Sequence, residues 1–188
     1  MDSSNPEQRL EEVAKALGAL LRDADLDAAL IGGHAVNFWD RPRFTEDFDF
    51  TVAADPPAIR RLVEALHAEG WTIVREQDGG GASGPDFLRL TNQVTGDFID
   101  IQAAKTQYQD LVIQRAYRGP NAPFPVATPE DLIVLKLLAW RTVDQQDVLR
   151  LAAGEIDWDY VTHWCEVWQL SEKLGWLRRM IATESSLL

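Results

Sequence analysis

The run Asp47-Phe-Asp-Phe-Thr-Val52 alternates polar and apolar residues without a break, and a period of two is the signature of a β-strand. Phe48, Phe50 and Val52 fall on one face and Asp47, Asp49 and Thr51 on the other, so the chain must bury one side of this strand while carrying two carboxylates on its reverse. Cα atoms two residues apart on a strand are roughly 6.5–7 Å apart, close enough for the two charges to repel. Either solvent at a sheet edge dissipates that repulsion, or a cation lies between the two groups.

Residues before and after this strand supply the rest of a layered fold. Pro6 to about Arg22 places Leu10, Val13, Ala14, Leu17, Leu20 and Leu21 at three- and four-residue spacing, which predicts an amphipathic helix. Ala28 to Ile31 reads as a short buried strand, followed by Gly32-Gly33 and a helix over His34–Trp39. Asp55 before Pro56-Pro57 is a helix start with the stripe Ile59, Leu62, Val63 and Leu66, and Gly70 stops it ahead of a strand over Trp71–Val74. The glycine-rich stretch Gln77–Asp86 reads as a mobile loop; Phe87–Thr91 and Asp97–Ala103 read as a hairpin turning at Thr95-Gly96, and 104–127 as irregular. Thr128-Pro-Glu-Asp131 opens a helix whose nine following residues, Leu132 to Trp140, are apolar except Lys136. Further helices are expected over Asp144–Ala153, Asp157–Trp168 and from Ser171 to about Ile181. Five of the seven tryptophans lie from Trp140 onward, large contacts for docking a helical C-terminal part.

Composition narrows the class. With 46% apolar and 26% charged residues the chain has the makings of a globular core, and no apolar run approaches the roughly 18–20 residues of a membrane span. The first residues are acidic where an export signal needs basic ones, so a soluble, cytoplasmic protein is expected. A lone Cys165 excludes an intramolecular disulfide and a thiolate-rich zinc site. Thirty acids against eighteen bases give −12, and no segment is basic: acids outnumber bases 8 to 3 in 1–40, 12 to 9 in 41–127 and 10 to 6 in 128–188. General nucleic-acid binding, which rests on Lys and Arg at phosphates, is disfavoured. A local basic site is still available in the middle segment, with Arg41, Arg43, Arg60, Arg61, Arg75 and Arg89.

Three further features bear on the carboxylate pair. Asp100, in Phe98-Ile-Asp-Ile-Gln102, stands on the face opposite Ile99 and Ile101; it is an ordinary polar position or, paired beside the first strand, a third carboxylate for an oxygen-ligated divalent ion. Gly32-Gly33 is a plain turn or a backbone cradle for phosphate at a helix start. Lys136 either snorkels to the surface or is held by an anion. Arg141, Asp144 and Asp147 follow at intervals of three; Asp144 is placed to cap the next helix and Asp147 to be solvated.

Taken in order, Leu30-Ile-Gly-Gly-His-Ala-Val36, Arg43-Phe-Thr-Glu-Asp-Phe-Asp49, a lone Asp100 on a later strand, and Pro129-Glu-Asp-Leu-Ile-Val-Leu-Lys136 with Arg141-x-x-Asp144-x-x-Asp147 resemble the minimal nucleotidyltransferases of the DNA polymerase β superfamily, and among them the AbiEii-type toxins of abortive-infection and toxin–antitoxin systems. The lincosamide-type antibiotic nucleotidyltransferases are similar too. Where the superfamily usually places serine after the first glycine, this chain has Gly33 and His34, a form common in the toxin-like branch. The resemblance implies an α/β fold, a minimal nucleotidyltransferase core with a small mixed sheet flanked by helices over 1–127, and a helical C-terminal subdomain over 128–188 packed on it. It also implies transfer of a nucleoside monophosphate from an NTP to a hydroxyl acceptor with release of pyrophosphate. Asp47, Asp49 and Asp100 would be catalytic and would bind Mg2+, with Mn2+ as a substitute. Gly32, Gly33, Arg43, Thr45, Lys136 and Asp144 would bind the nucleotide. The acceptor would be tRNA, with a cognate antitoxin as partner, or a small molecule; a catalytically silent binding module is the remaining alternative.

Overall fold

The computed structural model of the chain describes Val13, Gly18 and residues 26–78, 85–122 and 124–185. Val13 is buried in the main core; the rest of the helix expected over 6–22, and the centre of the glycine-rich stretch, lie outside the described residues.

The sheet has five strands, β1 (Asp27–Ile31), β2 (Asp47–Ala53), β3 (Trp71–Asp78), β4 (Pro85–Asn92) and β5 (Phe98–Ala103), in the order β1-β2-β5-β4-β3. Only β2 and β5 run parallel; the other three pairings are antiparallel, so the sheet is mixed. Strands β3 and β4 extend to Asp78 and back to Pro85, taking up residues at both ends of the stretch expected to be a loop. Seven helices are present among the described residues: α1 (Gly32–Trp39), α2 (Pro56–Ala68), α3 (Gln107–Arg115), α4 (Pro129–Ala139), α5 (Thr142–Leu151), α6 (Trp158–Val167) and α7 (Ser171–Ser185).

Phe48, Phe50, Leu88, Leu90, Ile99 and Ile101 alternate onto one face of the sheet and are all at most 3% exposed, the buried face that the sequence alternation requires. Ile59, Leu62 and Leu66 of α2 belong to the same cluster, and so do Leu132, Ile133 and Leu137 of α4, Val148 of α5, Val161 and Cys165 of α6, and Leu174 and Leu177 of α7. The helical C-terminal part therefore shares one continuous hydrophobic cluster with the sheet. Its tryptophans act as expected at the seams: Trp140 meets Trp176 edge-on at 5.2 Å, and Trp164 lies 4.5 Å from Tyr108.

Helix α3 is the main departure from the expectation of an irregular 104–127. The Thr106 hydroxyl accepts from the backbone N–H of Gln109, and the Gln109 side chain accepts from the Thr106 N–H, a reciprocal capping box. Ile113 and Ala116 then pack on Ala29 of β1, forming a second small cluster. Ala29 is paired with Thr51, so α3 covers the far half of the carboxylate-bearing face and leaves the end with the acids uncovered. The start of α4 is fixed by Asp131, fully buried, which accepts from Thr128 Oγ1 (2.9 Å), Tyr160 Oη (2.5 Å), Tyr108 Oη (3.3 Å) and Arg115 Nε (3.2 Å).

Because a Ser, Thr or Asp cap is worth about 0.5–2 kcal/mol, Thr106→Ala should lower unfolding stability by about 1 kcal/mol in urea titration, with the m-value unchanged.

Candidate active site

Register brings the acids together. In the parallel pair Asp49 stands beside Asp100, and on the other side of β5 Asp100 stands beside Arg89 of β4. One row across the sheet thus reads Ile31, Asp49, Asp100, Arg89 and Arg75, with Asp47 one step along β2. All three carboxylates picked out from the sequence meet on one face.

The guanidinium of Arg89 lies between two of them. Its Nε donates to Asp100 Oδ1 at 2.7 Å and its Nη2 to Asp100 Oδ2 at 2.6 Å, while the same Nη2 donates to Asp47 Oδ2 at 2.7 Å. The hydrogen bonds to Asp100, more than any other cause, raise the Arg89 pKa further above its already high value. Asp49 makes no hydrogen bond or ion pair among the described residues. Burial, reinforced by the charges of Asp100 and Asp47 and opposed by those of Lys136 and Arg141, pushes its carboxyl up to about 7.

The glycine turn lies against this group. Gly32 has φ +68°, and a Cβ there would overlap the Asp49 carboxylate, so both the backbone conformation and the close approach require glycine. A Cβ on Gly33 would overlap Thr45 Oγ1 and crowd the Arg43 guanidinium. The loop from Asp40 to Glu46 is held over the start of α1 by Asn37, whose amide donates to the Arg43 carbonyl (2.7 Å) and accepts from the Arg43 N–H (2.9 Å). Gly32, Gly33, Arg43 and Thr45 are thus gathered beside the acids. His34 stacks on Phe48 with ring centroids 4.2 Å apart, and burial together with the positive charge of Arg43 lowers its pKa to about 4, so it is neutral near pH 7.

Lys136 is buried, and its Nζ is held by Asp144 Oδ1 (3.1 Å) and Asp147 Oδ2 (2.8 Å), both carboxylates being fully buried. It does not snorkel; protein carboxylates are its anions. Asp147 also receives a two-pronged contact from Arg43, Nε at 2.8 Å and Nη2 at 2.7 Å. It is therefore not the solvated residue its spacing suggested. Burial would raise its pKa, but the bonds from Arg43 and Lys136 outweigh that and hold it below the ordinary carboxylate range. Asp144 accepts from the Arg141 N–H (2.9 Å) and from its side chain at Nε (2.8 Å), capping α5 as the sequence allowed. Arg150 adds a bond to Asp40 Oδ2 (2.9 Å) and one to the Arg41 carbonyl. This network ties α4 and α5 to the loop beside the glycines. Arg89 and Asp147 are the members whose roles the sequence did not reveal; for Arg89 the signal available was one basic residue on a strand facing the lone acid of its hairpin partner.

A small mixed sheet carries three acids on one face, beside a glycine turn that opens a helix, and the class this arrangement belongs to is given by its family, the nucleotidyltransferases. The family model for the nucleotidyl transferase AbiEii toxin of type IV toxin–antitoxin systems matches residues 15–152, and the chain belongs to that family. Solved structures agree on the fold. The solution structure of the antibiotic-resistance factor ANT(2'')-Ia superposes with a TM-score of 0.60 at 16% identity, over 92% of this chain and 97% of that one. The same factor in complex with adenylyl-2''-tobramycin gives a TM-score of 0.53 at 17% identity, over 94% and 99%. An antigenic nucleotidyltransferase-like protein from Paracoccidioides brasiliensis gives 0.54 at 16% identity, over 89% and 91%. Among curated proteins none matches at the level of sequence. No helix among the described residues is long and apolar enough to cross a membrane.

Two outcomes are expected of this arrangement. Lys136→Met should destabilise the fold by about 3 kcal/mol in urea titration, the low end for removing one partner of a buried ion pair, because Arg43 and Arg141 still face the two acids. The second concerns Asp49. A carboxyl whose pKa is raised on folding contributes stability below its unfolded value near 4 and loses it as pH rises toward about 7. The contribution of Asp49 to stability in chelator should therefore fall between pH 4 and 7, read as the difference between the parent and Asp49→Asn, with the variant about 1–3 kcal/mol more stable than the parent at pH 8, discounted for the partial exposure of the site.

Proposed function

We propose that this chain is a divalent-metal-dependent nucleotidyltransferase that joins an NMP from an NTP to a hydroxyl acceptor. The observation that carries the reading is the meeting of Asp47, Asp49 and Asp100, from two parallel strands, beside the Gly32-Gly33 turn. Among the described residues no three side chains are closed into a ready metal-holding group, and a guanidinium bridges two of the three acids; it is the chemistry of the donor set, all carboxylate oxygen, that suits a hard cation such as Mg2+. When bound, such an ion supplies Lewis acidity at the phosphate and a lower pKa for the attacking hydroxyl.

The chain's own residues do the rest. Asp47, Asp49 and Asp100 would hold the cation, and Asp100 would take the hydroxyl proton. The acceptor oxygen forms a bond to the α-phosphorus, the bond to the β-phosphate oxygen breaks, and pyrophosphate leaves with the electron pair. Gly32 and Gly33 leave room for phosphate against the start of α1, with Thr45 beside them. Arg43, Lys136 and Asp144 serve the nucleotide indirectly: Lys136 and Arg141 place positive charge near Asp49, and Arg43 fixes the loop that carries Thr45.

As acceptor we propose RNA, with tRNA foremost, modified by a toxin that a cognate antitoxin restrains; membership of a toxin–antitoxin family supports this reading. A small-molecule acceptor is the second reading. It is favoured by Arg89, Arg141 and Arg43, the arginines beside the acids and the glycine turn, being committed to ion pairs with Asp47, Asp100, Asp144 and Asp147 rather than left as a basic groove.

Labelled NTPs incubated with the protein, Mg2+ and total RNA should place label in the tRNA band, with a yield that falls as salt rises. Asp49→Asn should abolish labelling. Asp100→Asn should retain NTP binding and lose transfer by a factor on the order of 10²–10⁴. Label found only in a low-molecular-mass fraction selects the small-molecule reading, and absence of label from every fraction with all four NTPs overturns transfer itself.

A further inference from the structure

Arg89 has no place in the reaction described above, yet it occupies the centre of the candidate site. Two of its nitrogens grip Asp100 in a two-pronged contact, and Nη2 lies 2.6 Å from Asp100 Oδ2 and 2.7 Å from Asp47 Oδ2. The Asp100 side chain is 11% exposed, against 34% for Arg89 and 32% for Asp47, so the guanidinium lies on the solvent side of Asp100 and level with Asp47. The ring of Phe98, 5.6 Å from Cζ, flanks it.

A magnesium ion binds carboxylate oxygens at about 2.0–2.1 Å. A divalent ion taken up by Asp47 and Asp100 would need the same carboxylate oxygens that Nη2 now holds, and two positive groups cannot both lie against them. We propose, resting on the metal-dependent reading above, that Arg89 is the site's own counter-cation: it holds Asp47 and Asp100 in register without metal, and a divalent ion must displace it to bind. Displacement strands a guanidinium that needs a new anion, and the triphosphate that accompanies the metal is the anion its fork fits. Free metal alone offers no such partner. The device therefore weakens uptake of bare ions and makes loading depend on the nucleotide.

The test measures binding of Mn2+ alone, without nucleotide and at fixed pH, from the loss of the free-ion electron paramagnetic resonance signal. Arg89→Gln should bind Mn2+ at least tenfold more tightly than the parent. Arg89→Lys, which keeps the charge and loses the fork, should bind more tightly than the parent by a smaller factor. Chelator-treated Arg89→Gln should also unfold at lower urea, since the acids then repel with nothing between them; if it does not fold, Arg89→Lys carries the test. Unchanged Mn2+ affinity in both variants overturns the proposal. Tighter binding in Arg89→Gln with parental affinity in Arg89→Lys reduces Arg89 to a distant charge and overturns displacement. Adding Asp49→Asn to Arg89→Gln should abolish the Mn2+ site; binding that survives there, or absent from every protein, overturns the metal assignment itself.

Discussion

Like charge on one face of a sheet is the constraint from which the rest of this structure follows. Strands β2 and β5 bring Asp47, Asp49 and Asp100 within reach of one another, and a sheet does so only if positive charge or protons compensate. The fold uses both: Arg89 bridges Asp47 and Asp100, and the raised pKa of Asp49 leaves it largely protonated below about pH 7. Everything else near the acids is arranged around that balance. Glycine at position 32 gives the Asp49 carboxylate room, and the charges of Lys136 and Arg141 oppose its neutralisation.

A second charge system, with the reverse design, stands next to the first. Asp144 and Asp147 are fully buried and ionised, each held by more than one cation, so their charges are fixed rather than poised. This system joins α4 and α5 to the loop after α1, and through Arg43 and Asn37 it sets where Thr45 rests against Gly33. One set of acids is left short of partners and the other is saturated. The contrast is the physical basis for proposing the first set as the ligand site.

Much of this was legible in the sequence because the strongest signals were local. The alternation through Asp47–Val52 gave β2 and its two faces, and the capping residues Asp55 and Thr128 gave the starts of α2 and α4. The meeting of Asp49 with Asp100 was an expectation from pattern, and the parallel register made it geometry. Helix α3 was missed because its apolar residues, Tyr108, Leu111, Val112 and Ile113, form only a short stripe among polar ones, though the Thr106 and Gln109 box stood in plain view. The extent of β3 and β4 was missed for another reason: Gln77 and Asp78 are poor strand formers, and cross-strand pairing overrides that weakness. Arg89 was counted among the arginines of a local basic site, since only three-dimensional pairing tells a surface cation from one that bridges two acids.

The parallel pairing of β2 with β5 also bears on how the protein comes into being. Parallel neighbours cannot be joined by a tight turn, and here α2, β3 and β4 all intervene between them. Asp49 and Asp100 are therefore contributed by segments about fifty residues apart, and their contact carries the loop-closure cost of everything in between. A nascent chain that has emerged only as far as β4 holds both acids of β2 and still has no complete acid cluster. Assembly of the acid cluster therefore waits for β5 and for the pairing that completes the sheet.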